Sequence, residues 1–310
     1  MTATDTGGVL RQRALPGVDY APEELGRGCR QRPEDVLAAL AMPRTGRIFD
    51  LDAGRWAGMP VLDAHPPFVM TTYRTPRGGR IDGPAGRPDA QGAPTGVMTE
   101  FMAASTHTGT HVDALCHITE GEEWYGGGTE AEHLGDHGPV RAEASSIPPF
   151  VCRGVLLDIA ALRGVGALPA GERVTAGDVR AAAERQGVEL RPGDAVLIRT
   201  GYMSVWDAGA ERRGAHFGAG IDLSAAEALA DAGAVLVGAD TENVECFPAR
   251  DAGPFLPVHV RLLARAGVHI AELLYLEQLA EAEASEFLFL CLSLRVRGAT
   301  GSMVRPVAIV

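Results

Sequence analysis

A chain of 310 residues with 46 % hydrophobic content and a mean hydropathy of +0.02 has enough apolar surface for one large or two ordinary globular domains. Its formal charge of −12 argues against a phosphate-backbone partner, and because all 28 basic residues are arginine, lysine Schiff-base and Walker-type chemistry are excluded. No apolar run approaches the roughly 18 residues that span a bilayer, and the start MTATDTGGVL lacks the basic and apolar parts of a secretory signal, so a cytoplasmic protein with neither membrane nor nucleic-acid partner is expected.

Residues 1–45 read as an N-terminal extension punctuated by Pro16, Pro22, Pro33 and Pro43, with one short helix in PEDVLAALAM that starts on Pro33. Residues 46–310 show no later break in composition and read as a single domain. The run GRIFDLD is strand-like and GMPVLDAHPPF a proline-rich loop; residues 74–96 hold too much Gly, Pro and Arg to bury a core face and read as a long loop or flap. Further on, GVLLDIA (154–160) and AVLIRTGY (195–202) read as buried strands. Between them TAGDVRAAAERQG reads as a helix, capped by Thr175 and stopped at Gly187. SAAEALADAG and PVHVRLLARAG are further helices, each followed by an apolar strand, AVLVGAD and VHIAELL. FLFLCLSLRVRG and MVRPVAIV supply one closing strand each. Strands alternating with helices predict an α/β domain with helices packed on a sheet. The five cysteines form no C-x-x-C pair and read as reduced, buried residues.

The chemistry concentrates in STHTGTHVDALCH, residues 105–117, which hold three of the nine histidines. His111 and Asp113 lie two apart and share a face of an extended strand; His107 joins them only if the backbone bends, and Gly109 is where a bend costs least. Two imidazoles and a carboxylate suit Zn²⁺, Mn²⁺ or Fe²⁺ with positions left open. His117, four beyond Asp113, can return to the same place on a helical turn and act as a proton shuttle. The competing reading is a polar loop, or core histidines satisfied by carbonyls. No H-E-x-x-H is present, which removes the zincin proteases. His133 and His137 in EAEHLGDHG have the same four-residue spacing, but their polar, glycine-containing surroundings read as a solvated loop.

HTGTHVDALCH resembles the H-x-G-T-H-x-D-x-P-x-H signature of the cyclase-like metal-dependent hydrolases, which include bacterial kynurenine formamidase, isatin hydrolase, some lactone hydrolases and polyketide cyclases. FDL, GMPV and HPPF, GDAVLIRTGY, VGADTENVE and GATGSMVRPVAIV are similar to other parts of that family, from about residue 48 to the C-terminus. The resemblance implies a swivelling β/β/α fold with a mixed central sheet and packed helices, assembled as a homodimer or homotetramer. It implies one or two divalent cations per subunit, Zn²⁺ or Mn²⁺. His107, His111 and Asp113 would hold one; Asp113 would bridge to a second held by His259 and Glu272. His117 would be the general acid/base. Without the resemblance, His259 and Glu272 would pass as ordinary structural residues.

The implied activity is metal-assisted hydrolysis of an N-formyl aryl amine, a cyclic amide or a lactone of a small substrate. Phe68, Tyr73 and Trp206 are candidates to line its pocket, and each competes with a plain core role. The alternatives are a natural-product cyclase or dehydratase using the same metals, and a non-catalytic metal-bearing protein. The chain departs from the signature at Leu115 and Cys116, where the family has Pro and a variable residue. The φ that proline would fix before His117 is therefore lost.

Overall fold

The computed structural model describes residues 15, 20, 22–81, 96–249 and 254–310. Its centre is a nine-stranded mixed sheet. In chain order the sheet strands and one hairpin are β1 (Ile48–Asp50), the hairpin strands β2 (Val69–Arg74) and β3 (Thr99–Ala103), then β4 (His111–Asp113), β5 (Phe150–Asp158), β6 (Ala195–Arg199), β7 (Leu236–Ala239), β8 (His269–Glu272), β9 (Glu286–Cys291), β10 (Gly301–Met303) and β11 (Val307–Ile309). The order across the sheet is β1-β11-β9-β5-β6-β7-β8-β4-β10. The four strands β5 to β8 are mutually parallel and the other pairings are antiparallel.

The apolar runs explain this arrangement. VLL, AVLI and LVGA are buried along their lengths, as strands covered on both faces must be. The connections between them carry the helices α1 (Ala176–Gln186), α2 (Leu223–Asp231) and the stretch 257–266. Helix α1 starts with the capping box of Thr175 and Asp178 and stops at Gly187 in the left-handed conformation, as its sequence requires. GVLLDIA is a strand only as far as Asp158, because the Asp158 carboxylate accepts the Ala161 N–H and starts a helical turn at Ile159. PVHVRLLARAG is helical as expected, but after one α-helical turn at Pro257–His259 the winding over Val260–Ala266 is π-type.

MVRPVAIV and the Gly-Ser pair before it form two strands rather than one. Pro306 has no N–H to give, and the chain divides there. β10 pairs with β4 at one end of the strand order and β11 with β1 and β9 at the other. The closing segment therefore links both margins, and a bridge from Asp52 to Leu274 with the Tyr275 N–H to Leu51 carbonyl bond joins them again. The sheet is thereby curled toward a barrel.

The helix of the N-terminal extension, Pro33–Leu40, packs on β5 and β9. Ahead of it, Gly26 lies in the left-handed region at φ 60°, with Arg27 N–H donating to the Gly267 carbonyl at 2.7 Å. A Cβ at Gly26 would lie 2.5 Å from that carbonyl oxygen and 2.7 Å from Leu115 Cδ1, so only glycine permits the approach. Leu115 is fully buried there. The residue that replaces the signature's proline is thus an anchor for the N-terminal segment. All five cysteines are free and buried.

The β2–β3 hairpin is exposed along its length. A short helix, Pro76–Ile81, follows β2; the rest of the flap expected at 74–96, residues 82–95, lies outside the described residues. Among the described residues no helix is long and apolar enough to cross a membrane.

At the C-terminal end of β7, the fully buried Asp240 accepts from Thr200 N (2.9 Å), Thr200 Oγ1 (2.8 Å), Gly201 N (2.8 Å) and Tyr202 N (3.1 Å). One carboxylate thereby fixes the turn after β6 and the Tyr202 that follows it. Asp240→Ala leaves these donors buried and unpaired and should lower stability by about 3 kcal/mol. Denaturant unfolding checks this, with a lower midpoint expected at an unchanged slope.

Candidate metal centre and cavity

The signature forms two structures separated by a bend. His107 lies in the loop leading to β4, and Gly109, at φ 62°, turns the chain so that His111 and Asp113 enter the strand facing it. β4 lies between β8 and β10, with His111 opposite Glu272 in register. His259 comes from the first turn of the 257–266 helix. His117 follows a tight turn after β4, closed by its N–H to the Ala114 carbonyl at 3.0 Å. The turn forms without proline and without a helix.

These side chains meet around Asp113. Its Oδ1 is 2.9 Å from His107 Nδ1 and 3.4 Å from His111 Nε2, and its Oδ2 is 3.8 Å from His259 Nε2. Glu272 reaches His111 Nε2 at 3.2 Å and His259 Nε2 at 3.3 Å. His111, Asp113, His259 and Glu272 are buried, as is His107; His117 is half-buried at the cavity floor. The His117 ring lies 4.2 Å, centroid to centroid, from that of His107. Yet His111 Nε2, both Asp113 oxygens and Glu272 Oε1 make no hydrogen bond. Buried polar atoms are normally paired, so donors that crowd together without hydrogen-bond geometry have the character of ligand atoms.

The outer nitrogens are committed. His111 Nδ1 donates to the Gly109 carbonyl at 2.8 Å and His259 Nδ1 to Glu245 Oε2 at 2.6 Å, while His107 Nε2 bonds the Thr300 hydroxyl at 2.9 Å. Each bond turns the other nitrogen toward Asp113 or Glu272, the outer-layer device that orients metal-binding imidazoles. Behind β4, the buried His269 donates Nδ1–H to the Asp113 carbonyl at 2.8 Å and fixes the strand itself.

Two overlapping groups could hold a cation: His107, Asp113 and His117, and His111, Asp113 and Glu272. Asp113 is common to both, the residue that the family resemblance put between two cations. The division differs, because His117 falls in one group and His259 sits beside the other. Their number is consistent with one or two cations per subunit.

The electrostatics follow from burial. Burial opposes charge on His111 and His259, but the adjoining carboxylates outweigh it and raise both to about 10. Burial opposes the Asp113 charge too, and the surrounding imidazoles hold its carboxyl well below the usual range. Burial pushes His117 down to about 4, so that ring is neutral near pH 7 and able to accept a proton.

Above the cluster opens a cavity of ≈ 680 Å³. The proline-rich loop supplies one wall, including His65, whose ring stacks on His107 at 5.4 Å. Tyr202 and Glu242 supply another; the Tyr202 hydroxyl donates to Glu242 Oε1, and burial pushes the Glu242 carboxyl up to about 7.

Of the sequence's pocket candidates, Phe68 and Trp206 are buried in a small apolar cluster with Tyr202 and Leu273, and only Trp206 borders a minor recess beside the site. Tyr73 stands 76 % exposed on the β2–β3 hairpin and is not among the residues that line the cavity. Neither Phe68 nor Tyr73 therefore lines it: the first faces the core, the second solvent. His133 accepts the Thr129 N–H and packs edge-on to Trp124, while His137 is exposed, so this second pair is structural. His65, Tyr202, Glu242, Glu245 and Thr300 were not singled out from sequence. Only His65 carried a visible signal, as a lone histidine before two prolines.

The comparisons agree with this geometry. Residues 49–246 match the family described as "Putative cyclase", and the chain belongs to that family. A crystal structure of a novel cyclase is similar with a TM-score of 0.81 and 27 % identity, covering 93 % of this chain and 97 % of that one. Isatin hydrolase A from Ralstonia solanacearum shares the fold with a TM-score of 0.63, 21 % identity and coverage of 88 % and 95 %. Isatin hydrolase A from Labrenzia aggregata, bound to benzyl benzoate, does so at 0.59, 21 %, 84 % and 93 %. No curated protein matches the chain in sequence. The fold is the cyclase-like β/β/α type, and the donor clusters with these likenesses support metal-using enzymatic activity in general.

Cation binding and protonation compete for the same nitrogens. With His111 and His259 raised to about 10, protein stripped by a chelator holds both rings protonated at pH 7.5. Adding Zn²⁺ or Mn²⁺ should then release up to about two protons per chain. Calorimetry in buffers of different ionisation enthalpy measures this; an enthalpy independent of buffer would mean that these rings are neutral beforehand.

Proposed function

We propose that the protein is a metal-dependent hydrolase that cleaves an amide C–N bond, in an N-formyl aryl amine or a cyclic amide, or the ester bond of a lactone, in a small cyclic or aromatic substrate. The observation that carries this reading is the convergence of buried, non-hydrogen-bonded donor atoms on Asp113 at the floor of a cavity. The set of imidazole nitrogens and carboxylate oxygens fits Zn²⁺ or Mn²⁺. His107, His111, Asp113, His259 and Glu272 are the proposed holders, with Asp113 facing both positions if two cations bind. When bound, such a cation acidifies water and polarises a carbonyl oxygen.

The remaining work falls to the chain. Gly109, Glu245 and Thr300 orient the ligand imidazoles before the cation arrives. His117, pushed down to about 4 by burial, takes a proton from the attacking water and passes it to the departing nitrogen or oxygen. Its ring has no side-chain hydrogen bond of its own among the described residues to compete with that transfer. The apolar cavity walls limit water around the reacting carbonyl.

Purified protein should contain a divalent metal, and His111→Ala should lower both metal content and turnover of test amides and lactones, the latter by at least about 100-fold, the scale set by losing metal-assisted activation of water. Absence of metal binding, or activity untouched by the substitution, would defeat the reading.

A second reading is favoured by one observation: the matched family and the similar structure at 27 % identity are both described as cyclases. Ring closure or dehydration would use the same donors and His117, with water as product or bystander. Turnover in ¹⁸O-water separates the two, because hydrolysis places the label in the product carboxylate and water-free cyclisation does not.

A further inference from the structure

The cavity beyond the proline-rich loop is unevenly furnished. Phe247 packs edge-on to Phe217 at 6.2 Å and to Phe255 at 5.8 Å, giving an aromatic side that continues to the mouth, where Phe255 is largely exposed. Glu242 lines the same cavity as these rings and the histidine floor. One of its oxygens is engaged by the Tyr202 hydroxyl. The other, Oε2, is buried and has no hydrogen-bond partner, and the neighbouring Asn243 Oδ1 is in the same condition. Both residues line the cavity.

Among the described residues no cation hydrogen-bonds that oxygen. Arg213, which also lines the cavity, gives Nη1–H to the Trp206 carbonyl at 3.2 Å and lays its guanidinium 5.7 Å from the Trp206 ring centre. It acts on Glu242 only as a nearby positive charge, which offsets a small part of the effect of burial on that carboxyl. Glu242 is also held in place. Tyr202 is fixed by its backbone N–H to Asp240 and by edge-on packing against Trp206 at 5.9 Å. A rigid, water-poor acceptor without a donor is the arrangement by which a site demands a hydroxyl or N–H from its ligand, because a ligand lacking the donor leaves the acceptor unpaired.

We propose that Glu242, held by Tyr202, is a specificity-determining residue that selects a neutral, largely apolar ring compound carrying an O–H or N–H donor. The proposal rests on the small-molecule hydrolase reading of this cavity and narrows its substrate class. A second acceptor or an anionic group placed against Glu242 Oε2 meets a carboxylate there and is disfavoured. A phenolic hydroxyl, an anilide N–H or a lactam N–H meets the requirement; the corresponding O-methyl or N-methyl compound does not.

The test uses 2-naphthol and 2-methoxynaphthalene as probes, titrated by fluorescence into the purified full chain at pH 8.5, where Glu242, pushed up to about 7 by burial, is an ionised acceptor. Wild-type protein should bind the naphthol roughly 10-fold more tightly, the scale of discrimination for one unpaired polar group. Glu242→Leu should bring the ratio close to one. In Glu242→Gln the Tyr202 hydroxyl takes the amide oxygen and turns the NH₂ toward the cavity, and because either probe's oxygen can accept from it the ratio should again fall close to one. Circular dichroism establishes that each variant is folded, and Glu242→Gln, nearly isosteric, carries the test if the leucine variant is not. A wild-type protein indifferent to the two probes, or a naphthol preference that survives in the folded variants, overturns the proposal. Metal content and amide or lactone turnover are measured on the same preparations. Intact metal and turnover with no probe preference defeats the Glu242 assignment alone; a Glu242-dependent preference in a protein that neither binds metal nor turns over amides or lactones defeats the hydrolase reading alone.

Discussion

The structure is organised around two buried carboxylates, Asp113 and Glu272, brought together where β4 pairs with β8. Carboxylates out of water are costly unless positive charge and hydrogen bonds surround them. Here the compensation is a ring of imidazoles rather than arginines, although arginine is the chain's only strongly basic residue type. That choice leaves lone pairs facing inward and permits either protons or a divalent cation to supply the missing charge. A guanidinium would close the site permanently.

Much of the remaining architecture serves that ring. The curled sheet brings Thr300, next to β10, against His107; the loop after β7 brings Glu245 against His259; His269 of β8 ties down the Asp113 carbonyl. The N-terminal segment participates as well, through the contact of Gly26 with Leu115 just before the His117 turn. This gives the departure from the family signature at Leu115 a physical meaning. The turn keeps its shape through a backbone hydrogen bond and core packing, where the family pattern uses a proline ring.

The same layout separates reactivity from recognition. Groups that can hold a cation or move a proton form the floor, and the walls are largely apolar with Asp63, His65, Tyr202, Arg213, Glu242 and Asn243 set among them. His133 and His137 show why spacing alone is a weak guide. They repeat the four-residue interval of His107 and His111, but their neighbours are a short surface helix and a turn, and the one ring that is engaged is used to pair a backbone N–H.

The sequence by itself determined the local elements and the heart of the site. Caps, glycine stops and apolar runs located the helices and the parallel strands, because these depend on near neighbours in the chain. His107, His111, Asp113 and His117 were legible because they lie within eleven residues and Gly109 supplies the bend. His259 and Glu272 were reached only through resemblance to a family, since nothing in a helix turn or a strand end marks them as candidate ligands. Tertiary structure alone decided the rest: the split of the last strand at Pro306, the closure of the sheet on itself, the inward faces of the histidines, and the cavity wall made by Tyr202 and Glu242. Those features come from contacts between residues up to hundreds of positions apart, such as His107 with Thr300. A one-dimensional pattern records which groups exist, but it is the packing of the sheet that sets which of them meet.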